Sequence, residues 1–360
     1  EHMTRRSFFL FLAFIWLALL YIILAFADIT ASSFVGLVKL ESGEQITGGG
    51  IATSSLLYLA LPLMMGLLMR FAKLPLWLAT VIFLPLVGVA IWIGQSIPLD
   101  LAALLHLDDA GAQRAWSVLL LVYCYMASIV PMWLLLQPRG YLGGYFLYIA
   151  LAGAGLGLIF GGKTIEYPAF VTWNADQGPL FPLLFVTIAC GACSGFHSLV
   201  ASGTTSKQLR CETDAKLVGY GAMLLEGMVA VISLCCVMML AANSPAVKDL
   251  KPNFLYAQGI GSFLSVVGIP VTLGVSFGLM AFTTFVYDTL DVCTRLGRYV
   301  LQELFGWPGR IGGFAATALT AGVPLFFLLR QPLDEAGKVV PVWKVFWGLF
   351  GASNQLLAAL

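Results

Sequence analysis

Charge is scarce in this chain. Of its 360 residues, 19 are Lys or Arg, 18 are Asp or Glu and three are His, for a formal net charge of +1. So few charges, so nearly balanced, give a nucleic acid nothing to bind. The histidines are isolated at positions 2, 106 and 197. They converge with no second ligand or base, so neither a metal, a cofactor nor an enzymatic centre is expected. The seven cysteines fall mostly inside apolar runs and read as small buried hydrophobes, not as a secreted disulfide framework. Cys190 and Cys193 have a redox or metal spacing, but no second pair stands nearby.

What fills the chain instead is hydrocarbon: 60% of the residues are hydrophobic. That balance belongs to an integral membrane protein, with lipid as its surroundings. A spanning helix needs about 20 apolar residues. Ten runs qualify: 7–27, 51–69, 75–95, 116–137, 141–162, 180–202, 217–242, 268–293, 311–329 and 341–360. The first follows Arg5 and Arg6 and ends in Ala25-Phe26-Ala27, like a cleaved leader, but its apolar run exceeds a leader's core of about 7–15 residues. The expected fold is an all-α polytopic bundle forming a single transmembrane domain over 1–360, with loops at 28–50 and 243–267 on the outer side.

Alternating the loops assigns 11 basic and four acidic residues to one side, Arg139, Arg295 and Arg298 among them; the other side receives eight basic and 11 acidic residues, Asp28 among them. The basic excess makes the first side cytoplasmic and puts the N-terminal end there. Trp77, Trp92, Trp116, Trp133 and Trp343 lie near span ends, as an interfacial belt places them.

Gly157 to Thr164 fits the phosphate-loop spacing, but an apolar span precedes it where a strand is required, and Pro168 soon follows. Gly153, Gly157 and Gly161 recur every four residues and read as a helix-packing groove, as do Gly274 and Gly278.

Within the spans, four ionisable residues remain: His197, Glu226, Asp288 and Asp291. Such groups are costly in hydrocarbon and usually face a cavity, a partner or a pathway. Glu226 lies ten residues beyond Lys216, near the bilayer midplane, and is a proton-coupling candidate or a protonated acid bonded to a neighbouring helix. Asp288 and Asp291 share a helix face, where two close carboxylates share a proton; Asp291 also has Arg295 four residues on, the spacing of an ion pair. His197 is a proton relay or a neutral bridge between helices. It sits in a stretch too small and polar for a plain span: Gly191, Ser194, Gly195 and Ser198, then Thr204 and Thr205. That composition predicts a broken helix, whose exposed amides suit an anionic substrate. Asn354 and Gln355, after Gly351, form a second polar break: either a second wall of the same site or interhelical bonding.

The stretch VTIACGACSGFHSLVASGTTSKQL (186–209) resembles the hallmark of the carbon starvation protein A family. In the same order, the segments at 131–142, 218–226, 291–298 and 347–358 are similar to further family motifs. Two positions depart: Gly140 replaces an acidic residue after Arg139, and Ser206 stands where proline is frequent. The resemblance implies a multi-pass inner-membrane secondary transporter of inverted-repeat type, taking up pyruvate with protons, or peptides, during carbon starvation. It also implies an N-terminal membrane segment before this stretch, so that the chain is a piece of a longer protein. His197, Glu226, Asp291, Arg295, Asn354 and Gln355 stand at family motif positions.

The combined reading is alternating access around a midplane site, with a small carboxylate as substrate, lipid as surroundings and H+ as coupling ion. Substrate contacts are expected from Gly191, Ser194, Gly195, His197, Ser198, Thr204, Thr205, Asn354 and Gln355, and proton coupling from Glu226, His197, Asp288 and Asp291. Peptide uptake, and a starvation sensor without transport, are the alternatives. Sodium is the alternative ion, with threonine hydroxyls and carbonyls as ligands.

Overall fold

The computed structural model describes residues 4–39, 45–175, 178–192, 194–241, 251–330, 340 and 342–359. Helices open at residues that answer their unpaired amides. Thr4 caps α1 (Arg5–Ser33), Thr47 caps α2 (Gly48–Phe71) and Asp108 caps α5 (Asp109–Ile129). Proline stands at or just before the start of α3 (Leu76–Ser96), α10 (Pro252–Val266), α11 (Val271–Phe305) and α12 (Gly309–Leu329). Its missing N–H costs nothing there. The short α4 (Leu101–Leu105) stops at His106, whose φ is 52°, and α11 stops at Gly306, with φ 62°. α6 spans Leu136–Phe160 and α13 spans Val342–Ala359. Two small antiparallel hairpins decorate the helices: β1 (Leu37–Lys39) with β2 (Gln45–Thr47), and β3 (Asn174–Ala175) with β4 (Gly178–Pro179).

The predicted span at 180–202 is broken. α7 (Leu180–Ala192) is followed by α8 (Gly195–Val200), a π-helical turn over Ala201–Thr205 and, further on, a π turn over Lys216–Tyr220 that leads into α9 (Gly221–Met238). Among the described residues, seven helical segments are long and apolar enough to cross a membrane: α1, α2, α3, α6, Lys216–Met238, α11 and α12. The protein is an all-α, multi-pass membrane protein. The other three predicted spans correspond to α5, the α7–α8 pair and α13.

α11 is the axis of the bundle. Its 35 residues rise about 52 Å, well beyond the ~30 Å hydrocarbon core. It packs on α1, α2, α3, α5, α6, α10 and α12. Ser276, Thr283, Thr284, Asp291, Thr294 and Arg295 are all buried along it, so the core helix carries polar groups inward, towards protein and away from lipid.

Both glycine grooves pack helices, and both receive α10. A Cβ at Gly157 would lie 2.4 Å from Phe263 O, and one at Gly278 would lie 2.9 Å from Ala257 Cα. α10 itself corrects the expectation of a loop over 243–267. Its Ala257, Ile260 and Phe263 are fully buried. At 15 residues it is too short to register as a span, and Gly259, Gly261, Ser262 and Ser265 dilute its apolar pattern. Residues 243–250 of that expected loop lie outside the described residues.

The loop expected over 28–50 is also shorter, because α1 continues to Ser33. Asp28, expected in it, is buried and accepts a 2.8 Å hydrogen bond from Gln113 Nε2. Arg139 and Arg295, expected in cytoplasmic loops, are buried as well. Trp116 leaves the expected belt: it is buried with its ring centroid 4.9 Å from that of Phe34, while Trp77 and Trp92 are exposed on α3. The Trp343 side chain, the Cys190 side chain and Cys193 lie outside the described residues, so the Cys-x-x-Cys reading receives no structural account.

Candidate functional site

Two polar sites emerge, one in the core and one on a flank. The core site is organised by Arg139, in the first turn of α6, whose side chain is 0% exposed. Arg139 Nε donates to Asp288 Oδ1 at 2.6 Å, and Nη2 lies 2.6 Å from the same oxygen as an ion pair, outside hydrogen-bonding geometry. Nη1 lies 2.6 Å from Asp291 Oδ2 and also donates to Tyr123 Oη. Tyr123 Oη in turn donates to Asp291 Oδ2 at 2.7 Å. Tyr58, from α2, donates to the Arg139 carbonyl at 3.0 Å. Helices α5, α6 and α11 thus meet at one guanidinium, and α2 meets the backbone carbonyl of the same residue.

The three-residue spacing of Asp288 and Asp291 aims both carboxylates at it from one face of α11. A fork of five donors suits this role, which an ammonium would fill poorly. The two carboxylates differ in access: the Asp291 side chain is 3% exposed and that of Asp288 is 27% exposed. Among the described residues, Asp291 Oδ1, Arg139 Nη2 and Thr284 Oγ1 are buried without a hydrogen-bond partner.

Arg295 does not pair with Asp291, as their spacing had suggested. Its Nη2 donates to Ala127 O at 2.7 Å and to Val130 O at 2.6 Å. These carbonyls end α5 just before Pro131, where no following turn can satisfy them. Arg295 therefore acts as a cap for α5, and Asp291 is left to Arg139.

The flank site is the break between α7 and α8. Ser194 Oγ accepts the His197 N–H at 3.3 Å, and Asn354 Oδ1 accepts the Phe196 N–H at 2.6 Å. Asn354 Nδ2 also donates to Ser194 Oγ at 3.2 Å, while Gln355 Nε2 donates to Val186 O at 2.8 Å. Adjacent amides on α13 therefore hold the two halves of the broken helix, one each. Gly195 allows this approach, because a Cβ there would lie 2.4 Å from Leu357 Cβ and 2.5 Å from Ala358 N.

The two polar breaks expected from the sequence thus meet, and interhelical bonding is how they meet. His197 and Glu226 meet too, with Nε2 and Oε1 3.7 Å apart, on side chains 56% and 61% exposed. Gly191 and Ser198 are exposed. Thr204 is buried and donates to Val200 O at 2.7 Å, and Thr205 is half-buried in the same π turn. Among the described residues, no side-chain hydrogen bond or ion pair joins the two sites directly. Gln208 Nε2 donates to Thr204 O at 3.2 Å and Gln137 Nε2 to Gln208 Oε1 at 3.2 Å, which brings the flank within two residues of Arg139 along the chain.

Arg139 is the functional candidate that sequence reasoning missed. Two signals were available: a lone arginine between two long apolar runs, and two span carboxylates with only Arg295 near them in the chain.

Comparison with known proteins gives this geometry a family. The peptide transporter CstA of Helicobacter pylori is 32% identical over 83% of this chain and 51% of its own length. The pyruvate/proton symporter BtsT of Escherichia coli is 31% identical over 67% of this chain and 44% of its own. The peptide transporter CstA of Escherichia coli is 31% identical over 71% of this chain and 45% of its own. The chain spans about half the length of these curated relatives. No solved structure matches it. The family profile described as carbon starvation protein CstA matches residues 1–248 and 242–360, and the chain belongs to that family.

Proposed function

We propose that the protein is a secondary transporter of the inner membrane, its N-terminal end cytoplasmic, which imports a small carboxylate with a proton. Pyruvate is the favoured substrate. The observation that carries this reading is the pair of carboxylates held on one buried arginine at 2.6 Å. Ionisable groups sealed inside a span bundle usually serve proton or ion movement. The relative named as a pyruvate/proton symporter supports the same substrate and ion.

Asp288 and Asp291 form the primary proton-coupling site, with His197 and Glu226 as a second carrier on the flank. The break at Gly191–Ser198, Thr204 and Thr205, and the Asn354–Gln355 step, form the hinge and part of the substrate path in alternating access. Orientation follows from the loops. With Arg139, Arg295 and Asp28 removed as buried, nine basic against four acidic residues still mark the cytoplasmic side.

Peptide uptake is the second reading, favoured by the relatives named as peptide transporters. Uptake of labelled pyruvate into proteoliposomes holding the full-length protein separates the two. An inward proton gradient is imposed, with and without sodium and with excess tripeptide. Proton-driven accumulation, indifferent to sodium and peptide, is the expected result. Peptide uptake with no pyruvate signal moves the assignment to the second reading.

A further inference from the structure

Arg139 is held by two carboxylates, yet one guanidinium neutralises only one. With both aspartates ionised, the trio carries a net charge of −1. The other ionisable groups around it do not correct this. Tyr58 from α2 and Tyr123 and Cys124 from α5 contribute no cation, and neither does Tyr287 on α11. Arg295, one turn from Asp291, keeps its own charge, but its Nη2 donates to the Ala127 and Val130 carbonyls and it forms no ion pair with Asp288 or Asp291.

The two carboxylates are also held unequally. Asp291 Oδ2 has Arg139 Nη1 and the Tyr123 hydroxyl, and is sealed. Asp288 has the Nε/Nη2 edge of Arg139 and is 27% exposed. Gly143 of α6 packs against it: a Cβ there would already touch Asp288 Oδ2 and Tyr58 Oη, both at 3.4 Å.

From this geometry we infer that Arg139 is the receptor for the substrate carboxylate, and that Asp288 occupies the receptor until it is protonated. The inference rests on the carboxylate–proton reading above and assigns that site its substrate-binding residue. A proton added to the Asp288 carboxylate removes its charge and weakens its hold on Nε and Nη2. The freed edge presents two parallel N–H groups, the fork that a monocarboxylate fits. Asp291 and Tyr123 keep the guanidinium in place throughout.

Charge balances at each stage. Before loading, the trio is one cation and two anions. After loading, it is one cation, Asp291 and the substrate carboxylate, with Asp288 neutral. One proton enters with one carboxylate and the net charge stays at −1, so loading puts no new charge into the membrane interior. The cycle is therefore electroneutral, at one proton per monocarboxylate.

Pyruvate binding and transport by the full-length protein test this. In the unaltered protein, affinity should fall as pH rises, by up to about tenfold per pH unit, as linkage requires for one proton per ligand. Asp288→Asn, which imitates the protonated acid, should bind pyruvate with no pH dependence. It should keep pyruvate–pyruvate exchange and lose proton-driven accumulation. Arg139→Lys keeps the charge without the fork and should bind about 10–100-fold more weakly. A potassium-diffusion potential should leave accumulation by the unaltered protein unchanged, which tests the exchange without any variant.

Unchanged pH dependence in Asp288→Asn, or accumulation that follows the potential, would show Arg139 to be a structural tie and overturn the inference while the carboxylate–proton reading stands. Absence of pyruvate binding and uptake by the unaltered protein overturns both.

Discussion

The Arg139 cluster and the His197–Glu226 pair set a basic side chain against carboxylate in opposite surroundings. In the first, the cation is 0% exposed and its carboxylates stand at 2.6 Å. In the second, both side chains are more than half exposed and stand 3.7 Å apart. Burial decides what each arrangement does. A charge removed from solvent depends on its partners, because losing one leaves the others unpaired in a poorly polarisable interior. The flank carboxylate is tied to His197 at 3.7 Å outside any buried network, so a change in its charge disturbs few protein contacts. The core cluster is therefore both a tie among four helices and a place where one added proton rearranges everything around it. The flank pair can change charge with little consequence for the fold.

The largest effect should come from Arg139→Met. It leaves Asp288 and Asp291 facing each other without a cation, at a cost of about 3–5 kcal/mol. Thermal unfolding of the purified full-length protein in detergent measures this. Adding Asp288→Asn and Asp291→Asn to the same variant should restore most of the loss, since neutral groups no longer need the cation. If the triple variant is no more stable than Arg139→Met alone, the cluster's worth lies in packing, and the contrast with the flank loses its electrostatic basis.

The difference between the sites also explains what could be read from the amino-acid order. The flank was legible because its signals are local. Gly191, Ser194, Gly195 and Ser198 are consecutive exceptions to an apolar run, and the chain does break there. Asn354 and Gln355 stand out as adjacent amides in a span. The core cluster was half legible: Asp288 and Asp291 were visible as span acids, but their cation comes from 149 and 152 positions away.

Arg139 was misread as a loop charge because a span count places any lone arginine between two apolar runs in solvent. Its burial is settled by α6 starting at Leu136, just after the Pro131 turn. α10 escaped for a related reason: its partners, the Gly153–Gly157 and Gly274–Gly278 grooves, were recognised as packing surfaces without anything to show which helix filled them.

At the flank, packing and charge separate. Gly195 faces α13 so closely that Gly195→Val should cost about 1–3 kcal/mol through overpacking, as in a core. Asn354→Leu should cost about 1–3 kcal/mol, since the Phe196 N–H, now bonded at 2.6 Å, is left without its acceptor. Both are read by the same unfolding assay. If both variants unfold with the unaltered protein, α13 does not hold the broken helix, and the flank is loose on every side.

The smallest structural effect, and the sharpest division between the sites, should come from Glu226→Gln. The carboxylate is 61% exposed and its ionic partner, His197, is 3.7 Å away, and a neutral amide costs less than a carboxylate in a span, so stability should not fall. Transport then separates the two candidate proton carriers. If Asp288 takes the coupled proton, Glu226→Gln keeps proton-driven pyruvate accumulation and its pH dependence, with at most a change in rate. If accumulation disappears while pyruvate exchange and stability persist, the coupled proton travels on the exposed pair. The Arg139 cluster would then hold α2, α5, α6 and α11 together without taking part in coupling, and the contrast would assign fold to the buried site and function to the open one.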